Sequence, residues 1–131
     1  MAYNVLVVDD SKTIRAVLKK TLGMTGLDIG EIHEAENGKE ALDILKDNWI
    51  DVVLSDLNMP VMSGVEMVDE MARDGLLASV PVIVISTDGS ATRIEDLKKK
   101  GIRDYIRKPF TPEMVSEAIE KVLGVVNEQS E

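Results

Sequence analysis

The sequence contains no cysteine, which excludes disulfide bonds, thiolate metal sites and a cysteine nucleophile. Long apolar runs are missing too. The most continuous ones, such as Val5–Val8 and Val82–Ile85, are far shorter than a helix crossing a bilayer requires, so no membrane span is expected. The opening residues Met1-Ala2-Tyr3-Asn4 lack the basic and apolar regions of a secretory signal, and a cytoplasmic location is the default expectation. Basic charge is in deficit: 15 Lys and Arg against 24 Asp and Glu leave a net charge of −9. Gripping a phosphate backbone takes a basic patch that releases counterions, so direct nucleic-acid binding is not expected. No repeat, low-complexity tract or linker appears before the last few residues.

What is present is the balance of an ordinary globular protein, 44% hydrophobic and 30% charged over 131 residues. That is enough for one domain with a single sizeable core. The expected unit spans 1–131, with its core over 3–126 and a short acidic tail. Short β-branched runs alternate with helical patterns. Val5–Val8, Val52–Leu54 and Val82–Ile85 read as strands buried on both faces, as in a parallel sheet, with weaker strands at Ile29–Glu34 and Asp104–Arg107. Between them, apolar residues recur at helical spacing: Ile14, Val17, Leu18 and Leu22; Ala41, Leu42 and Leu45; Val65, Val68 and Met71; Ile94 and Leu97; Met114, Ala118, Ile119 and Val122. Asn37 with Glu40, and Ser63 with Glu66, have capping-box spacing, and Thr111-Pro112 supplies a cap before a first-turn proline. The basic cluster Lys98-Lys99-Lys100 before Gly101 reads as a helix C-terminus.

Strict alternation of strand and helix implies an α/β, doubly wound parallel sheet with helices on both faces. For five strands the leading order is the flavodoxin-like 2-1-3-4-5, whose ligand site lies beyond the carboxyl ends of the strands, beside the switch point between strands 1 and 3. The first strand ends in Asp9-Asp10, the third in Asp56, the fourth in Ser86-Thr87 and the fifth in Lys108-Pro109. Carboxylates gathered at short range destabilise one another unless a cation is present. Such a hard oxygen site suits Mg²⁺, which favours places that also hold phosphate. Asp56 is the central carboxylate and a candidate nucleophile, with Lys108 and the Ser86 hydroxyl placed to meet phosphoryl oxygens. The Lys108–Pro109 peptide is a candidate cis bond.

The pair Asp9-Asp10, the run Asp56-Leu57-Asn58-Met59-Pro60 with Gly64, then Ser86, Tyr105 and Lys108-Pro109-Phe110 together resemble the signature of response-regulator receiver domains, especially the single-domain CheY-like members. The resemblance spans residues 3–126. It implies a phosphorylation-dependent signalling switch in a two-component or chemotaxis-type phosphorelay. Asp56 matches the phosphoacceptor, Asp10 a direct Mg²⁺ ligand, Asp9 one acting through water, and the Asn58 backbone carbonyl a further direct ligand. Ser86 and Tyr105 match the switch hydroxyl and switch aromatic, and Lys108 the lysine that contacts the phosphoryl group. The implied donor is a phosphohistidine on a histidine kinase or phosphotransfer protein. The implied output is a protein target meeting the face of helix 4, strand 5 and helix 5, with the chain a monomer or a phosphorylation-dependent dimer. It would catalyse only its own phosphorylation and dephosphorylation.

Thr87 is β-branched where many receivers carry a small residue. With Asn58 and Asp88, each two positions beyond a site residue, it is expected to modulate reaction rates by flanking the path of water. His33 reads as a surface or edge-strand residue, Trp49 as an anchor at the entry to strand 3, and the seven methionines as adaptable packing. A haloacid-dehalogenase-type phosphohydrolase needs a second acid two positions after its first-strand nucleophile, where this chain has Ser11. An FMN carrier needs a phosphate-cradling loop there, and Asp9-Asp10 would repel that phosphate.

Overall fold

Strands covered on both faces need apolar side chains at successive positions, and the runs Val5–Val8, Val52–Leu54 and Val82–Ile85 supply them. The computed structural model describes residues 2–76, 79–87 and 89–124. In chain order the elements are β1 (Tyr3–Val8), α1 (Lys12–Gly23), β2 (Ile29–Ala35), α2 (Gly38–Asp47), β3 (Val52–Ser55), α3 (Gly64–Arg73), β4 (Val82–Ser86), α4 (Ala91–Lys100), β5 (Asp104–Arg107) and α5 (Pro112–Leu123). All neighbouring strands pair parallel in the order β2-β1-β3-β4-β5, the doubly wound order expected. No helix among the described residues is long and apolar enough to cross a membrane.

The two-residue period of each strand divides the core in two. Val5, Val7, Val52, Leu54, Ile83 and Ile85 face α1 and α5, packing on Leu18, Leu22, Val115 and Ile119. Leu6, Val8, Val53, Val82 and Val84 face the other way, onto Ala41, Leu45, Met67, Met71 and Leu97 of α2, α3 and α4. Side-chain oxygens cap every helix: Ser11, Asn37, Ser63, Ser90 and Thr111 each accept an amide from the third residue on. Gly101, at φ +119°, ends α4 in the left-handed region, with Lys98, Lys99 and Lys100 in the last turn. Lys100 also reaches Asp69 of α3 at 3.3 Å.

Several details depart from the sequence reading. Val17 is 44% exposed and Met114 37% exposed, so neither belongs to the buried stripe of its helix. On α5 the stripe starts at Val115, which keeps step with Ala118 and Ile119. The Ser63–Glu66 capping box is complete, but the Glu40 carboxylate accepts from the Glu36 amide at 2.9 Å rather than from Asn37. Trp49 is 79% exposed and does not anchor β3 by burial. Its neighbour Ile50 is buried instead, while the indole N–H donates to Asp51 Oδ1 at 3.0 Å. His33, by contrast, sits on the edge strand β2 as expected, half-buried against Glu31 at 3.1 Å.

Leu54 lies at the centre of the sheet with no exposed surface. Leu54→Ala should cost about 2–5 kcal/mol in denaturant unfolding, whereas Trp49→Ala should cost less than about 1 kcal/mol, as an exposed site does. Equal costs would contradict the assignment of core and surface.

Candidate functional site

The sheet register brings the polar strand ends together. Beyond the last paired residues the ladder continues by one hydrogen bond: Asp9 N–H donates to the Ala35 carbonyl at 3.1 Å, Asp56 N–H to Val8 at 2.9 Å, and Lys108 N–H to Ser86 at 2.9 Å. Asp9, Asp56 and Lys108 therefore emerge at one edge, where the order of β1 and β3 creates the switch point. The Lys108–Pro109 peptide is cis.

Carboxylate oxygens of Asp9, Asp10 and Asp56 all lie within 4.8 Å of one another. Asp9 is buried, Asp56 half-buried and Asp10 exposed. Asp9 Oδ1 accepts the Ser11 amide at 2.9 Å, and Asp56 Oδ1 accepts the Leu57 amide at 2.8 Å. The second oxygen of each faces Lys108, whose Nζ lies 3.3 Å from Asp9 Oδ2 and 3.7 Å from Asp56 Oδ2. The Lys108 ammonium thus stands against two of the three carboxylates. Burial pushes the Asp56 carboxyl above its usual range, and the charges of Asp9 and Asp10 push the same way, against the Leu57 amide and Lys108.

This donor set fits a hard divalent cation. It offers only oxygen ligands, close enough to share one ion, and among the described residues Lys108 is the ammonium paired with Asp9 and Asp56. The loop after β3 is held to the site by Gly64. Its amide donates to the Leu57 carbonyl at 2.8 Å, and a Cβ at this position would collide with the Asp56 carbonyl oxygen. Any side chain there would push α3 away from the strand end that presents Asp56.

The remaining candidate residues are placed as follows. Asn58 is exposed in the loop after β3, and Ser86 is buried as the last residue of β4. Tyr105 pairs with Val84 and packs against the core under α2, α3 and α4. Its hydroxyl is buried with no hydrogen-bond partner among the described residues. Thr87 is exposed and lines a mostly apolar cavity of about 380 Å³ with Ile14, Val17, Lys108, Pro109 and Phe110. Asp88 lies outside the described residues. Sequence reasoning passed over Arg15, which is 7% exposed and donates from Nη1 to the Asp9 carbonyl at 2.7 Å. Its signal was visible: it stands three and seven positions before Leu18 and Leu22, a charge inside the apolar stripe of a helix.

A doubly wound sheet with an acidic trio and a lysine at its switch point defines a CheY-like receiver. The chain belongs to the response regulator receiver domain family, whose model matches residues 5–120. It is 41% identical over 120 residues to a chemotaxis protein CheY homolog of Campylobacter jejuni, covering 91% of each chain. It is 40% identical over 120 residues to chemotaxis protein CheY1 of Helicobacter pylori, covering 91% of this chain and 95% of that one. Among solved structures it is similar to the chemotaxis response regulator CheY4 of Vibrio cholerae, with a TM-score of 0.82 and 33% identity over 94% of this chain and all of that one.

Because Asp56 titrates higher in the fold than in the unfolded chain, its ionisation weakens the fold as pH rises through that range. In chelator, Asp56→Asn should therefore be more stable than the wild type at pH 7.5. The gain should vanish when pH falls below the ordinary carboxylate range, where both states of the wild type are neutral at this position. Denaturant melts at the two pH values measure this, and a gain independent of pH would contradict it.

Proposed function

We propose that this protein is a phosphorylation-dependent switch of a chemotaxis-type two-component pathway, in which Asp56 accepts a phosphoryl group from a phosphohistidine. The observation that carries the reading is the Lys108 ammonium shared between Asp9 and Asp56 at 3.3 and 3.7 Å, beside a third carboxylate. An Asp56 oxygen attacks phosphorus, the bond from phosphorus to the donor imidazole nitrogen breaks, and its electron pair leaves on the imidazole. Lys108 meets the charge on the transferred oxygens, and Ser86 donates a hydrogen bond to one of them. Asp9, Asp10, Asp56 and the Asn58 backbone carbonyl are the residues that would hold Mg²⁺. When bound, that ion draws charge from the phosphoryl oxygens. The chain turns over no separate substrate and catalyses only its own phosphorylation and dephosphorylation.

The donor in this reading is a histidine kinase or a histidine phosphotransfer protein. The output is a protein target at the face of α4, β5 and α5, reached by a single domain spanning 1–131. The relatives named as chemotaxis proteins support this class of pathway. The buried Tyr105 hydroxyl supports a role as switch aromatic. An unpartnered buried hydroxyl costs about 1–3 kcal/mol, so an outward, hydrated position lies within reach. Movement of Ser86 toward the phosphoryl group would bias the two positions through differential contacts. Asn58, Thr87 and Asp88 set the lifetime of the acyl phosphate through water access.

Incubation with acetyl phosphate and Mg²⁺ should add one phosphate, labile to hydroxylamine and detected by mass spectrometry. Asp56→Asn should abolish it. Labelling of that variant at the wild-type rate would assign the phosphoryl group elsewhere.

A further inference from the structure

We infer that Arg15 is a positioning residue for the acidic site, setting cation affinity through the Asp9–Asp10 peptide without touching any reacting group. The inference rests on the reading of Asp9, Asp10 and Asp56 as a cation-assisted phosphoacceptor site. Arg15 lies on α1 and is 7% exposed, a burial that arginine adopts only when its charge is paired and its donors are used. Nη1 donates to the Asp9 carbonyl at 2.7 Å and Nε to Glu34 Oε1 at 2.9 Å. The other Glu34 oxygen accepts from Lys19 Nζ at 2.9 Å. A planar guanidinium fixed at one edge by a carboxylate has little freedom in where it aims the rest of its fork.

The Asp9 carbonyl and the Asp10 amide belong to one planar unit. Holding that oxygen fixes the rotation of the plane, and with it the directions in which the two consecutive aspartates leave the backbone. Asp9 is pinned at its other end by the Ser11 amide on Oδ1 and by Lys108 on Oδ2. Arg15 thus completes the set of contacts that hold the buried member of the trio. The Glu34 carboxylate offsets the guanidinium charge locally, so the effect runs through geometry more than through field. Groups that orient ligands from behind in this way change metal affinity by about 10- to 100-fold when removed.

The test is titration of the isotopically labelled full chain with Mg²⁺ alone, following the Asp10 and Ser11 amide signals well below the melting temperature. Arg15→Gln should weaken Mg²⁺ binding about tenfold or more. Arg15→Lys should recover part of the loss, since an ammonium can reach the carbonyl but cannot hold the fork. Glu34→Gln should weaken binding by a smaller factor, because Arg15 keeps its bond to Asp9. Lys19→Ala leaves both Arg15 bonds in place and should stay within about twofold of wild type, the scale of an exposed charge. Unchanged affinity in Arg15→Gln beside a lowered melting temperature would mean a purely structural role and overturn the inference. Equal losses in Arg15→Gln and Lys19→Ala would also overturn it, by showing a general charge effect. Should Arg15→Gln fail to fold, unchanged affinity in Glu34→Gln overturns the inference alone. A wild type that does not bind Mg²⁺ overturns both this inference and the cation-assisted reading of the site, whereas a wild type that binds beside unaffected Arg15 variants overturns only the former.

Discussion

Like charges held a few ångströms apart near a protein surface repel by roughly 4 kcal/mol at an effective dielectric of about 20. Asp9, Asp10 and Asp56 are held within 4.8 Å, and Lys108 is the ammonium set against Asp9 and Asp56. Such an arrangement is unstable unless the backbone enforces it. The enforcement comes from the parallel ladder, in which amides of Asp9, Asp56 and Lys108 are each bonded to the neighbouring strand end. The apolar core on both faces of the sheet stabilises a concentration of charge that the site would not maintain by itself.

The same arrangement explains why the surrounding contacts take the form they do. Asp9 and Asp56 each commit one oxygen to a backbone amide, which leaves the other oxygen of each directed at Lys108. Gly64 permits the loop to turn back against Asp56 without a side chain in the way. Arg15 grips the Asp9 carbonyl from within α1 and is itself steadied from β2 by Glu34. A charged group arriving at the centre therefore acts on a framework with few ways to relax.

The order of strands was legible because the apolar runs are continuous and separated by clear helical patterns, and the switch-point rule then pointed to one edge of the sheet. Asp9, Asp10, Asp56 and Lys108 could be grouped in advance because each stands where an expected strand of the parallel sheet ends. Residues whose role depends on which way a helix is rotated were less legible. Val17 and Met114 look apolar and are exposed, whereas Arg15, a charge set within an apolar stripe, is buried. Trp49 misled for a similar reason: side-chain size suggested burial, but the adjacent Ile50 takes the inward direction where the chain enters β3. Hydrogen bonds to backbone carbonyls, such as that of Arg15, carry no sequence motif of their own.

Charge held in place by the fold at the acidic edge calls for a divalent cation to balance it. The most direct test is the melting temperature of the wild-type chain in chelator and in rising millimolar Mg²⁺. A cation bound only by the folded state stabilises it by mass action, so the melting temperature should climb steadily with the logarithm of Mg²⁺ concentration. The rise should be lost in Asp10→Asn. A wild-type melting temperature that stays flat across that range would contradict the account.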